Sequence, residues 1–286
     1  MHVIIIGSGP AGISAALYAR RGGAEATVVT KGACAFATAE WVENYYGFPK
    51  PIAGAELERR GIAGAKRLGV RFETDEVLAI TPRDSGAGFL IEGVQRSYES
   101  DAVILAAGTP RKTLSIAGLR EFEGRGVSYC AICDAFFYRG KNVAVVGARD
   151  YALHEARILR PHVAQLSLLT HGEAPPAELS DGIAVHTHRI VRIEGARRVQ
   201  RIVFDDDTAM DVDGIFMAIG TAGGMELARK LGVVLSDGKI AVGKHMETNV
   251  PGVYAAGDCT GGLLQIAKAV YEGAEAGLAA VRDLRK

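Results

Sequence analysis

Short apolar runs rich in β-branched residues alternate along the chain with stretches whose apolar positions recur at helical spacing. The first run, His2-Val-Ile-Ile-Ile6, is β-branched at four of its five positions and ends in Gly7-Ser-Gly-Pro-Ala-Gly12. This pattern predicts a strand running straight into a helix. Ile13 to Arg20 suits that helix, and Ala26-Thr-Val-Val-Thr30 reads as the next strand, completing a β-α-β unit of about 30 residues. Asp101-Ala-Val-Ile-Leu-Ala-Ala107 is a further buried strand, closed by Gly108-Thr-Pro110, where glycine and proline end the element. A parallel sheet is implied.

The same order returns later. Asn142-Val-Ala-Val-Val146 leads through Gly147 into a helical stretch ending near Arg160, followed by Gln165-Leu-Ser-Leu-Leu-Thr170. Asp213-Gly-Ile-Phe-Met-Ala-Ile-Gly220 then echoes Asp101-Ala-Val-Ile-Leu-Ala-Ala-Gly108 in type and spacing. Two related modules are therefore predicted, with connections near residues 112 and 240. After residue 240 come Thr248-Asn-Val-Pro-Gly-Val-Tyr-Ala-Ala-Gly-Asp258 and a helix from about Gly262 to Arg282, apolar at 263, 266, 267, 270 and 274.

Composition narrows the function class. The 286 residues are 48% hydrophobic and 23% charged, which excludes disordered and collagen-like chains and allows two domains. Thirty-three Lys and Arg balance 33 Asp and Glu, so no net field draws nucleic acid or anionic lipid. Residues 1–19 carry no Asp, Glu, Lys or Arg, but Gly7, Gly9, Pro10 and Gly12 interrupt the run and no basic leader precedes it. A soluble, cytoplasmic protein without a membrane span is expected.

Two motifs carry chemistry. Gly7-x-Gly9-x-x-Gly12, after a strand and opening a helix, is a dinucleotide fingerprint in its proper context. Glycine there permits a tight turn and close approach of a pyrophosphate to the amides at a helix N-terminus. The competing reading is a plain glycine-rich turn. No ribose-binding carboxylate follows the second strand, where Thr30 and Lys31 stand. Cys130-Ala-Ile-Cys-Asp134 places two thiols within reach of one disulfide, beside an acid able to move protons. Zinc needs about four ligands, and no second pair of Cys or His accompanies this one, so no metal is expected. Two inert buried thiols are the remaining alternative.

With these residues in place, the sequence resembles the low-molecular-weight thioredoxin reductase family along essentially its whole length. Gly7-Ser-Gly-Pro-Ala-Gly12 matches the family's FAD pyrophosphate loop, and Val42-Glu-Asn-Tyr-Tyr-Gly-Phe48 resembles its V-E-N-x-x-G-F segment. Cys130-Ala-Ile-Cys-Asp134 matches C-A-x-C-D, and Thr248 to Asp258 resembles T-x-x-x-V-x-A-x-G-D. The resemblance implies an α/β fold of two Rossmann-like, three-layer ββα domains, the second inserted into the first: 1–112 plus 241–286 for FAD, and 113–240 with the redox pair. It implies FAD along Gly7, Ser8, Gly9, Pro10, Ala11 and Gly12, with Asn44 near the flavin and Asp258 on the ribityl chain. Gln265 and Ile266 would approach the pyrimidine end, although the family's R-Q-A is Leu264-Gln-Ile266 here. Thr30, Gly108 and Gly257 complete the candidate cofactor contacts. Cys133 would be the flavin-side sulfur, Cys130 the exchanging thiolate, and Asp134 the proton donor or acceptor. A homodimer and a rotating inserted domain are implied as well.

The second module departs from the pattern of members that use NADPH. Its loop is Gly147-Ala-Arg-Asp-Tyr-Ala152, with Arg149 where the second glycine would admit a pyrophosphate. Thr170-His-Gly-Glu-Ala-Pro-Pro176 replaces the family's basic stretch for a 2′-phosphate. Glu173 leaves open a ribose contact to NADH. The departures resemble the ferredoxin-dependent flavin thioredoxin reductases, with thioredoxin or a similar small protein as acceptor. Other readings are a reductase with an atypical NADH or NADPH site, a dithiol oxidase that uses oxygen, and a flavin-binding redox sensor. Arg189, Arg192, Arg197, Arg198 and Arg201 read either as a docking surface for an acidic donor or as a solvated strand face. Cys34 and Cys259 receive no catalytic role. Tyr45, Tyr46, Phe136 and Phe137 either shield the site or fill a core. Under the implied roles, Cys130→Ser should leave a Cys133 thiolate that gives a charge-transfer absorption with oxidised flavin; a spectrum without that band would overturn the assignment.

Overall fold

In the computed structural model, which describes residues 1–84, 86–108, 114–176, 182–219 and 223–286, the first apolar run forms β1 (His2–Ile6). Gly7 then turns the chain at φ +111° into α1 (Pro10–Arg21), with Pro10 at a position where its missing N–H costs nothing. β2 (Glu25–Thr30), α2 (Gly54–Arg67) and β3 (Arg71–Thr74) follow. An antiparallel meander of β4 (Val77–Pro82), β5 (Phe89–Gly93) and β6 (Ser97–Ser100) precedes β7 (Ala102–Leu105).

The next elements are β8 (Val127–Ser128), α3 (Ala131–Asp134), β9 (Asn142–Val146), α4 (Asp150–Leu159), β10 (Gln165–Leu169) and β11 (Ala184–His186). The antiparallel strands β12 (Ile190–Glu194), β13 (Arg201–Phe204) and β14 (Ala209–Asp211) precede β15 (Gly214–Met217). The chain closes with α5 (Gly224–Lys230), the hairpin β16 (Leu235–Ser236) and β17 (Lys239–Ile240), β18 (Val253–Ala255), and α6 (Ile266–Asp283). Among the described residues no helix is long and apolar enough to cross a membrane.

Met1–Pro110 and Gly223–Lys286 form one compact unit; Arg111–Ala222 form the other. The first unit is a parallel sheet in the order β18-β7-β1-β2-β3. Because successive strand residues face opposite sides, Val3, Ile5, Val28 and Ile104 join Ala15, Ala19, Ala276 and Ala280 of α1 and α6 in one core. The second unit has the parallel order β11-β10-β9-β15-β8. One face of it, through Val146, Leu169, Ile215 and Met217, packs on Ile190, Ile193, Ile202 and Phe204 of the antiparallel strands.

The predicted repeat is physical. The Asp101 carboxylate accepts the His2 amide at 2.8 Å, and Asp213 accepts the Asn142 amide at 2.9 Å. Gly7 donates to Val29 O and Gly147 to Leu169 O, each at 2.9 Å. Both βαβ entries are thus tied by the same bonds. Residues 223–240, grouped with the insertion on sequence alone, instead pack on the first unit. Lys230 Nζ donates to Leu78 O at 3.1 Å and the Val234 amide to Asn249 Oδ1 at 2.8 Å. The expected connection near residue 112 and Gly220 lie outside the described residues. Strands β3 to β6 and β12 to β14 escaped sequence reading: most are short and partly exposed, and the buried run Val77–Ile80 of β4 was passed over.

α6 meets α1 at glycine. A Cβ on Gly273 would lie 2.1 Å from Ala11 O, and one on Gly277 would lie 2.4 Å from Ala15 O. Ser14 Oγ also donates to Val270 O at 2.6 Å. Gly273→Ala is therefore expected to destabilise the first unit by roughly 1–3 kcal/mol despite alanine's better helix propensity. A thermal midpoint equal to the parent's would contradict that packing account.

Candidate active site

The loop at the start of α1 divides its three glycines by task. A Cβ on Gly7 would lie 2.5 Å from Ala106 O, and one on Gly12 would lie 1.9 Å from Gly7 O. These two permit close packing of turn, helix and sheet. A Cβ on Gly9 would meet nothing nearer than Cys34 Cβ at 3.9 Å, so the turn is open where a pyrophosphate would approach. The first turn of α1 contains no acid, which leaves its amide dipoles available to an anion. Ser8 is buried and its hydroxyl lies 3.0 Å from Thr30 Oγ1, which donates to Gly32 O at 2.9 Å. Ala11 is buried under α6, while Gly108 sits at φ +67° in open space.

A second turn is held against this loop. Gly257, at φ +90°, lies so close to Ala11 that an added Cβ would be 3.0 Å from the alanine methyl. Its amide donates to Glu272 Oε2 at 2.8 Å, and Glu272 pairs with Lys268 at 3.0 Å. Lys268 Nζ also donates to Gly257 O at 2.9 Å. Two side chains from α6 thus bind both polar groups of Gly257 and set the position of half-buried Asp258. Sequence reasoning missed this pair; its i,i+4 spacing on α6 was the available signal. Asn44 Nδ2 donates to Gln265 Oε1 at 2.8 Å, bringing two distant candidates together just before Ile266 opens α6. A cavity of ≈ 230 Å³, lined by Ser8, Pro10, Ile13, Tyr45, Glu58 and Ile266 among others, adjoins the loop.

In the other unit, Cys130 and Cys133 form a disulfide across the start of α3. The Cys133 amide donates to Cys130 Sγ at 3.2 Å, and the Asp134 amide to Cys130 O at 3.2 Å. Cys130 is 5% exposed, whereas Cys133 is exposed and Asp134 half-buried. Exchange at Cys130 therefore requires it to be uncovered. The Ala131 amide donates at 2.8 Å to Glu155 of α4, a residue that sequence reading did not single out. Phe136 and Phe137 are exposed and do not fill a core.

The loop of the second module keeps the close-approach glycine and loses the open one. A Cβ on Gly147, at φ +152°, would meet Ala218 O at 2.2 Å, repeating the close approach of Gly7. Arg149 occupies the N-cap of α4 and donates through Nε to Glu173 Oε2 at 3.4 Å. The carboxylate considered for a ribose is paired with the arginine that displaces the open glycine. Ala152 stands at the third position, which takes glycine or alanine, and Asp150 adds an acid to the first turn. His171 Nδ1 accepts the Ile190 amide at 3.0 Å, and burial lowers its pKa, so it supplies no cation for a phosphate. Of the five arginines, Arg192 pairs with Glu194 and Arg201 with Asp211, which favours a solvated strand face over a basic docking surface.

The two remaining cysteines lie in the first unit. Burial, followed by a hydrogen bond and the charge of Glu58, pushes the Cys34 thiol up to about 12. Burial pushes Cys259 up to about 12 as well.

Comparison with known proteins agrees with this arrangement. A family profile described as pyridine nucleotide-disulphide oxidoreductase matches residues 1–273. The chain is 32% identical to the thioredoxin reductase of Listeria monocytogenes over 96% of its length and 91% of that relative. The crystal structure of the atypical thioredoxin reductase TRi from Desulfovibrio vulgaris Hildenborough superposes with TM-score 0.93 at 37% identity, covering 99% of this chain and 97% of the other. That of a ferredoxin-flavin thioredoxin reductase from Clostridium acetobutylicum gives TM-score 0.72 at 34% identity, covering 99% and 98%.

A raised thiol pKa leaves the protonated, unreactive form at pH 8. After reduction at that pH, iodoacetamide should therefore modify Cys133 and spare Cys34 and Cys259. Peptide mass spectrometry showing comparable labelling of Cys34 or Cys259 would contradict this.

Proposed function

This chain belongs to the pyridine nucleotide-disulphide oxidoreductases, as an FAD-binding flavoprotein of the thioredoxin reductase type that acts on a disulfide, and from that premise we propose that reduced ferredoxin is its electron source. With FAD bound, the Cys130–Cys133 pair would receive those electrons and pass them to thioredoxin or a similar small protein. The observation that carries this reading is the Arg149–Glu173 pair at the N-cap of α4, with Arg149 where an open glycine would admit a pyrophosphate. Arg149 takes the place of the glycine that would let a pyrophosphate approach, and the added acid of Asp150 opposes a diphosphate there. Similarity to the ferredoxin-flavin thioredoxin reductase of Clostridium acetobutylicum adds support.

In this reading Gly7, Gly9 and Gly12 cradle the pyrophosphate of FAD, Asp258 binds its ribityl chain, and Asn44 with Gln265 flanks the ring. Ser8, Pro10, Ala11, Thr30, Gly108, Gly257 and Ile266 complete that shell. When bound, FAD joins a one-electron donor to a two-electron disulfide. Two reduced ferredoxins and two protons convert one thioredoxin disulfide to a dithiol. Cys130 attacks the partner's disulfide and Cys133 resolves the mixed disulfide, while Asp134 moves the proton. The driving force is ample: plant-type ferredoxin near −400 mV and thioredoxin near −270 mV differ by ~130 mV, or about 6 kcal/mol for two electrons. A cytoplasmic homodimer accompanies this reading.

Flavin absorbance near 450 nm tests it under exclusion of oxygen. Pre-reduced ferredoxin should bleach the band, and NADPH or NADH should leave it in place. Rapid bleaching by either nucleotide would make the protein a conventional pyridine-nucleotide reductase, and oxygen uptake with small dithiols would make it an oxidase.

A further inference from the structure

α4 no longer offers its N-terminus to a pyrophosphate, yet it still reaches the redox turn. Glu155 is 1% exposed and accepts the Ala131 amide at 2.8 Å. A buried carboxylate is costly unless its oxygens are bonded, and the rest of this helix buries Tyr151, Ala152, Ala156 and Leu159 instead. The amide it binds belongs to the residue that follows Cys130 and opens α3. Other donors of that turn are satisfied locally. The Cys130 amide donates to Ser128 Oγ at 3.1 Å, and those of Cys133 and Asp134 bond to Cys130 itself. Ala131 alone among these four is held by a side chain from another helix.

We propose that Glu155 is a positioning residue of the redox centre: its carboxylate fixes the Cys130–Cys133 turn through the Ala131 amide, and its charge holds the pair strongly reducing. The electrostatic part follows from proximity and burial. Cys130 is 5% exposed, and the carboxylate binds the adjacent peptide, so little water screens the two. Reduction places negative charge on sulfur, which a fixed carboxylate opposes and the Cys133 amide favours. A dithiol disfavoured in this way surrenders its electrons more readily to the next disulfide.

This inference rests on Cys130 and Cys133 being the redox pair and not on which donor reduces the flavin. Its test therefore uses neither ferredoxin nor nucleotide. The flavin-loaded, full-length protein is equilibrated with glutathione buffers at pH 7, two glutathiones being oxidised for each disulfide reduced. The mixture is quenched by alkylation and the disulfide fraction is read by mass spectrometry. Glu155→Gln keeps an oxygen for the Ala131 amide and removes the charge. It should favour the dithiol about tenfold, equivalent to a potential ~30 mV higher. Glu155→Asp keeps the charge and should stay within about threefold of the parent. An unchanged equilibrium in Glu155→Gln, or equal shifts in both variants, would overturn the proposal. If Glu155→Gln fails to load flavin, Ala131→Pro removes the donor and keeps the acid. Proline is tolerated at a first helical position after an extended residue, and Cys130 has φ −146° and ψ 100°. That variant should be at least threefold harder to reduce, and a parental equilibrium in it would equally overturn the proposal.

Discussion

The close approach of α6 to α1 is the constraint on which the first unit depends. Gly273 and Gly277 let α6 settle on the carbonyls of Ala11 and Ala15, at distances no side chain could share. That contact places Lys268 and Glu272 beside Gly257, and through them the Gly257–Asp258 turn beside the Gly7–Gly12 loop. Residues some 250 positions apart become one site because the helix that ends the chain packs on the helix that begins it. Apolar burial supplies the free energy, but glycine decides the distance.

The two modules show how a shared scaffold separates from a shared use. Asp101 and Asp213 clasp their first strands alike, and Gly7 and Gly147 make the same close approach to the neighbouring strand end. These features hold a βαβ unit together whatever it binds. The two loops part at Gly9, which opens to space, whereas its counterpart is Arg149, paired with Glu173. The helix behind the altered loop is intact, and Glu155 on it accepts the Ala131 amide of the redox turn.

Hydrogen-bond accounting explains the form of the redox turn. Its amides are satisfied by Ser128, by Glu155 and by the sulfur and carbonyl of Cys130. A two-residue spacer between the cysteines permits the disulfide, yet the spacer does not reveal what holds it. The exposures of the sulfurs are equally unreadable from C-A-I-C-D, where the two cysteines look alike although the fold buries Cys130 and exposes Cys133.

Local pattern determined much of this protein. The strand-loop-helix start, the repeated Asp-strand units, the dinucleotide fingerprint, the displacement of glycine by Arg149 and the CxxC pair are all written in contiguous residues. Periodicity and glycine placement act over one or two turns of chain, so their consequences can be read without a fold. Tertiary structure decided the rest. It assigned residues 223–240 to the first unit through Lys230 and Asn249, and it paired two of the five arginines with acids. It also joined Asn44 to Gln265, Glu173 to Arg149 and Glu155 to Ala131. Apart from Arg192 and Glu194, neighbours on one strand, these are contacts between residues distant in the chain, formed because packing of apolar faces brings their backbones together.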